Sequence, residues 1–101
     1  MINLASTSDL IRVVTSAAAQ IEVHASWADF TTATSAVGIG RQNTPHITTA
    51  TTTTIVASPG SGVVRNVKHL NITNDHASQS CVITVEHTDG TTAVEMISVT
   101  L

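Results

Sequence analysis

The stretch Gln20-Ile21-Glu22-Val23-His24-Ala25-Ser26-Trp27 decides the fold class. Ile21, Val23, Ala25 and Trp27 fall on one parity, while Gln20, Glu22, His24 and Ser26 fall on the other. Side chains of an extended chain point alternately to its two faces, so this is a β-strand with one buried and one wet side. The same period recurs at the other end of the chain. Cys81, Ile83 and Val85 alternate within a strand expected over Ser80 to His87. Glu95, Ile97, Val99 and Leu101 alternate down a return strand still running at the last residue, so either an open edge or a continuation of the chain is expected there. Between them Asp89-Gly90 predicts a type I′ hairpin, whose two central residues must accept positive φ.

Working outward, Leu10 to Thr15 reads as a short strand, and Val63 to Thr73 as a longer one in which Val64, Leu70 and Ile72 are in phase and Val67 is not. A bulge between Val67 and Leu70 reconciles them. Pro59-Gly60-Ser61-Gly62 is a turn by composition and the natural division of the chain. Ala28 to Pro45 lacks a period and holds Gly38, Gly40, Asn43 and Pro45, so a long connection is expected there. Residues 46 to 58 carry Thr at 48, 49, 51, 52, 53 and 54. No Asp, Glu, Lys or Arg lies between Arg41 and Arg65. Branching at Cβ favours an extended backbone for such a run, and its two polar faces leave its register weakly fixed by burial. The expectation is an all-β single domain over 1–101, a small β-sandwich or open barrel. Strands and a Thr-rich extended arm occupy 1–58, and a β-meander occupies 63–101.

Composition narrows the function. Of 101 residues 42% are hydrophobic but only 2% aromatic and 11% charged, and Ser plus Thr number 28. Such a surface is neutral and hydroxyl-rich, which excludes charged helical bundles. A net charge of −3 with four Lys plus Arg excludes a phosphate-tracking nucleic-acid binder. One cysteine excludes an internal disulfide framework. No signal-peptide pattern opens the chain, and no apolar run is long enough to span a bilayer. Asn71-Ile72-Thr73 fits a glycosylation acceptor only as a chance match. With one Trp, one Phe and no Tyr, the core must be built of small aliphatics, and partner subunits are expected to cover part of the apolar surface.

Chemistry is sparse. The five histidines, His24, His46, His69, His76 and His87, show no metal-ligand spacing. His69 and His87 could face each other across neighbouring strands, and one histidine per subunit on a three-fold axis is the one metal arrangement to test. Cys81, inside an alternating strand with no cation nearby, reads as a buried thiol. No nucleophile elbow, triad or complete glycine-rich phosphate loop is present, so no enzyme activity and no cofactor are expected. Arg65 and Lys68 could bridge to a neighbour's carboxylate, and Trp27 is expected to fill the domain's own centre.

The run from Ile47 to Pro59, followed by Arg65-Asn66-Val67-Lys68, resembles a family of small tailed-bacteriophage virion structural proteins. So do Val13 to Ala18, Val23 to Trp27 and His87 to Glu95. The resemblance implies a virion location and a capsid decoration or cement protein that works by adhesion. It also implies other virion proteins as partners, the major capsid protein first, and a homo-oligomer with a trimer among the options. A neck, tail or fibre-base component is the alternative within that class. A host-surface or carbohydrate-binding sandwich is the alternative outside it. The expected interface comprises Ile47, Thr49, Thr51, Thr53, Ile55, Arg65 and Lys68, with backbone hydrogen bonds from the Thr-rich arm supplying the contact.

Overall fold

The computed structural model describes residues 2–101. It contains eight strands and no helix: β1 (Ile2–Leu4), β2 (Leu10–Thr15), β3 (Ile21–Thr31), β4 (Ala36–Ile47), β5 (Thr52–Val56), β6 (Val63–Asn74), β7 (Val82–Thr88) and β8 (Ala93–Thr100). They form two four-stranded antiparallel sheets, ordered β1-β6-β3-β4 and β5-β2-β7-β8. The fold is a small β-sandwich, one of the two all-β architectures expected from the sequence. Between the sheets lie Leu4, Ile11, Val13, Ile21, Val23, Ile55, Val56, Val67, Ile83 and Val85, all buried. This is the aliphatic core expected from the composition. Trp27 packs only partly against it, and Phe30 is exposed.

The expected strand over Gln20 to Trp27 begins at Ile21 and runs on to Thr31. The long connection expected over Ala28 to Pro45 is instead the end of β3, a tight turn and most of β4, which pairs with β3 from Thr31↔Ala36 to Ile21↔Ile47. Two of the residues that signal a break are accommodated for identifiable reasons. Gly40 faces Trp27 across the ladder, and a Cβ there would lie 2.6 Å from the indole Nε1, so the missing side chain makes room for the ring. Pro45 is tolerated because β4 is an edge strand, where one missing donor costs no ladder bond.

The Thr-rich segment is not a free arm. β5 pairs with β2 from Ile11↔Val56 to Val14↔Thr52, and the Thr15 hydroxyl clamps the stretch before it. That hydroxyl donates to the Thr49 carbonyl at 2.7 Å and accepts the Thr51 N–H at 3.1 Å. The two halves are likewise interleaved. β6 joins β1, β3 and β4, while β7 and β8 join β2 and β5, so the expected three-strand C-terminal meander is only the β7–β8 hairpin.

The bulge in β6 falls at Lys68, between the pairs Trp27↔Val67 and Ser26↔His69, inside the interval that the phase shift marks out. The Asp89-Gly90 signal gives a hairpin but not a two-residue turn: Thr88 pairs with Ala93 around a four-residue loop. The Asp89 carboxylate accepts the N–H groups of Thr91 and Thr92 at 2.9 and 2.7 Å. Of the two residues, only Gly90 takes positive φ, at 94°. An Asp that binds its own loop has no need of the left-handed conformation.

Candidate interaction surface

The residues expected at an interface divide by what the fold does with them. Ile47 closes β4 and Ile55 sits in β5, and both side chains are buried in the core. They are corrected to packing residues, because the strands that carry them belong to the sandwich. Thr49 and Thr51 are exposed in the clamped connection, and Thr53 is half-buried on edge strand β5.

Arg65 is engaged within its own chain. Its Nε donates to Asp29 Oδ1 at 2.9 Å and its Nη2 to Asp29 Oδ2 at 3.2 Å, a two-pronged pair inside one sheet. Its Nη1 donates to the Ala57 carbonyl at 2.7 Å, which follows β5 of the other sheet. The guanidinium also lies 4.4 Å from the centre of the Trp27 ring. One side chain therefore latches both sheets at this end, and it covers the only tryptophan. Sequence could not show this, because Asp29 and Arg65 meet only through the β3–β6 register. Lys68 is exposed at the bulge.

The histidines disperse. His24 Nδ1 is 2.6 Å from Asn43 Oδ1, and its ring lies 6.2 Å from that of His69 on the outer face of the first sheet. His46 Nε2 is 2.8 Å from Glu22 Oε1. His76 Nδ1 accepts the N–H groups of Ser78 and Gln79, which shapes the loop before β7. His87 Nε2 approaches the Asn3 carbonyl at 3.2 Å. The expected facing of His69 and His87 does not occur, since β6 and β7 lie in different sheets. Among the described residues no three His, Cys, Asp or Glu side chains converge. Cys81 is buried, as its place in the alternation indicates.

Two carboxylates have lowered pKa values, both for local reasons. Asp9 accepts the Ala5 N–H at 2.7 Å and the Ser6 hydroxyl at 2.8 Å. Asp89 is held down by the Thr92 and then the Thr91 N–H. Hydrogen bonds to the ionised form favour it, and here they fix turns rather than prepare a proton transfer.

What remains is apolar surface. Phe30, Val37, Ile39, Val82, Val94, Met96, Ile97, Val99 and Leu101 are all exposed. They form two main groups. The first lies on the outer face of the β3–β4 hairpin, where Phe30 pairs with Val37 and Ala28 with Ile39, which is 92% exposed. Beside it a depression of about 530 Å³ opens between His24, Ile39, Arg41 and Lys68. The second group is β8, in which every residue is exposed. Soluble monomers rarely leave contiguous apolar patches uncovered unless something docks there. In comparisons with protein-family models, with curated proteins and with solved structures, nothing matches this chain.

Proposed function

We propose that this chain is a structural protein of a tailed-bacteriophage particle that decorates or cements the capsid by adhesion to other virion proteins. The observation that carries the proposal is the apolar surface. Nine large hydrophobic side chains stand exposed among the described residues, most of them on β8 and the β3–β4 hairpin, and grouped apolar surface is what marks a docking site. The neutral, Thr-rich exterior supports the same reading, since contacts made by backbone pairing and small apolar side chains need few charges. Resemblance of the 47–68 region to small virion proteins supplies the context.

The test is a mass-spectrometric copy count on purified particles of the encoding phage. Hundreds of copies per particle are expected of a decoration protein. A dozen or fewer would move it to the neck, tail or fibre base, and absence from the particle would overturn the virion reading altogether.

A further inference from the structure

The edge strand β4 is guarded along one half of its length and bare along the other. From Gln42 onward the guards are plain. The Gln42 side chain donates to the Thr54 carbonyl of β5 at 3.2 Å, and Pro45 brings no donor. His46 takes positive φ, at 53°, inside the register shift between the pairs Val23↔Thr44 and Ile21↔Ile47. Residues 36 to 41 have none of these devices. Their ladder among the described residues is with β3 alone, and β1 lies at the opposite edge of the sheet, beyond β6. Arg41 is the one charge in the stretch, whereas edge strands are ordinarily blunted by charges, proline or bulges against a second chain.

The side chains fit a contact there. Val37 and Ile39 share the outer face with Phe30 and Ala28 of β3, and they are 70% and 92% exposed. Ala36, Gly38 and Gly40 have the other parity and present nothing larger than a methyl group. A Cβ on Gly38 would meet nothing within 4 Å.

The order of these residues points to the occupant. About Gly38, the stretch Ala36-Val37-Gly38-Ile39-Gly40 has the same pattern in both directions, a branched aliphatic on each side and a small residue beyond it. An interface on a two-fold axis uses one patch twice and must complement itself. With the axis at Gly38, Val37 falls opposite Ile39 of the second copy, Ala36 opposite Gly40, and Gly38 opposite its own counterpart. On the joined outer face Phe30 and Val37 of one molecule continue into Ile39 and Ala28 of the other, an unbroken apolar row that occurs twice. Charge does not oppose this pairing. The two Arg41 residues stand six positions apart along the ladder, about 20 Å at the rise of a strand, well beyond the screening length of about 8 Å in physiological salt. A foreign strand would need no such symmetry in its partner.

We infer that β4 is a contact between copies of this chain. Residues 36 to 41 of two molecules pair antiparallel about Gly38 and join their β1-β6-β3-β4 sheets into one sheet of eight strands. The contact engages about six residues a side, against about 20–30 in a standard interface, so the dimer is reversible and builds up with concentration. The inference goes beyond the adhesion to other virion proteins proposed above. It is tested on isolated protein, whereas that reading is tested on particles, so each can fail alone.

Sedimentation equilibrium of the full chain over about a hundredfold range of concentration should show a monomer–dimer equilibrium. Ile39→Lys places an ammonium group on the apolar row at a site exposed in the monomer, and should weaken association at least about tenfold, the cost of burying an unpaired charge. Val94→Lys, at an exposed site on β8 of the other sheet, should leave association unchanged. Circular dichroism matching the parent will show that both variants fold. Cysteine capture reads the register. Opposed residues of an antiparallel ladder have Cα atoms about 4.5–5.5 Å apart, within the disulfide range of about 4.4–6.8 Å. Gly38→Cys should therefore be captured as a covalent dimer by exchange with oxidised glutathione. Arg41→Cys, about 20 Å from its counterpart, should not, and neither should the parent, whose Cys81 is buried. A chain that stays monomeric throughout, association indifferent to Ile39→Lys, or equal capture of the two cysteine variants would overturn the inference. So would association abolished by Val94→Lys.

Discussion

Replacing Gly40 by alanine adds one methyl group at the place where the hairpin is tightest. The new Cβ would stand 2.6 Å from Trp27 Nε1 and 2.8 Å from Cε2. Non-bonded carbon atoms settle at about 3.5–4.0 Å, so the indole or the strand must give by about 1 Å. The ring is not free to swing, because the Arg65 guanidinium stacks on it while bound to Asp29 and Ala57. Overpacking of this kind costs about 1–3 kcal/mol, which for a domain of this size lowers the thermal midpoint by roughly 5–20 °C. Gly38 is the internal control. It lies two residues away on the same strand, faces Asp29, and would carry a Cβ with nothing within 4 Å. Gly38→Ala should therefore stay within about 0.5 kcal/mol of the parent. The assay is thermal and urea unfolding followed by fluorescence of Trp27, the only tryptophan, whose emission should shift in G40A and not in G38A. In a Trp27→Leu background the G40A penalty should largely disappear, as coupling between touching residues requires. If G40A is as stable as G38A, the explanation of β4 as a strand opened by glycine for the indole is wrong.

Three further outcomes follow from the same packing. Arg65→Lys keeps the charge but loses the two-pronged grip on Asp29 and the link to Ala57, and urea unfolding should show a loss of about 1–3 kcal/mol. Ile55→Ala empties a fully buried site and should cost about 2–5 kcal/mol, whereas Thr53→Ala on the same strand should change stability by no more than about 0.5 kcal/mol. That pair separates core from edge within β5. Asp9 and Asp89 have folded pKa values below the ordinary 3.8, so on acidification the unfolded chain takes up protons first. Their contribution is complete above the ordinary value and is lost as pH falls through 3.8 toward the folded values. Thermal midpoints measured across that window should fall, and Asp9→Asn should flatten the fall while lowering stability at pH 7.

Much of the sandwich was legible in parity alone. β2 spans the residues that alternation marks, β3 starts within one residue of expectation, and the phase shift in β6 foretells the bulge at Lys68. β4 was not legible, because Gly38, Gly40 and Pro45 break strands on average. Gly40 is admitted here by the indole across the ladder and Pro45 by an edge position. The Thr-rich stretch concealed β5 for the opposite reason: both its faces are polar until Ile55 and Val56, which alone tie it to the core. Hence Ile47 and Ile55 looked like docking residues and proved to be interior ones. The exposure of β8 lay beyond any pattern, since Ile97, Val99 and Leu101 alternate as a buried face would.

The ladders also set when the molecule can assemble. The two inner strands of each sheet are far apart in sequence: Leu10 meets Thr88, and Ile21 meets Asn74. Closing such distant pairs is entropically slow. During synthesis β2 can meet β5 first, and its other edge stays open until β7 emerges. Through that interval a run with almost no charge is exposed to its neighbours. A β-prone stretch without charges has nothing to repel a neighbouring chain, so this interval is when mispairing between nascent copies is open to the molecule.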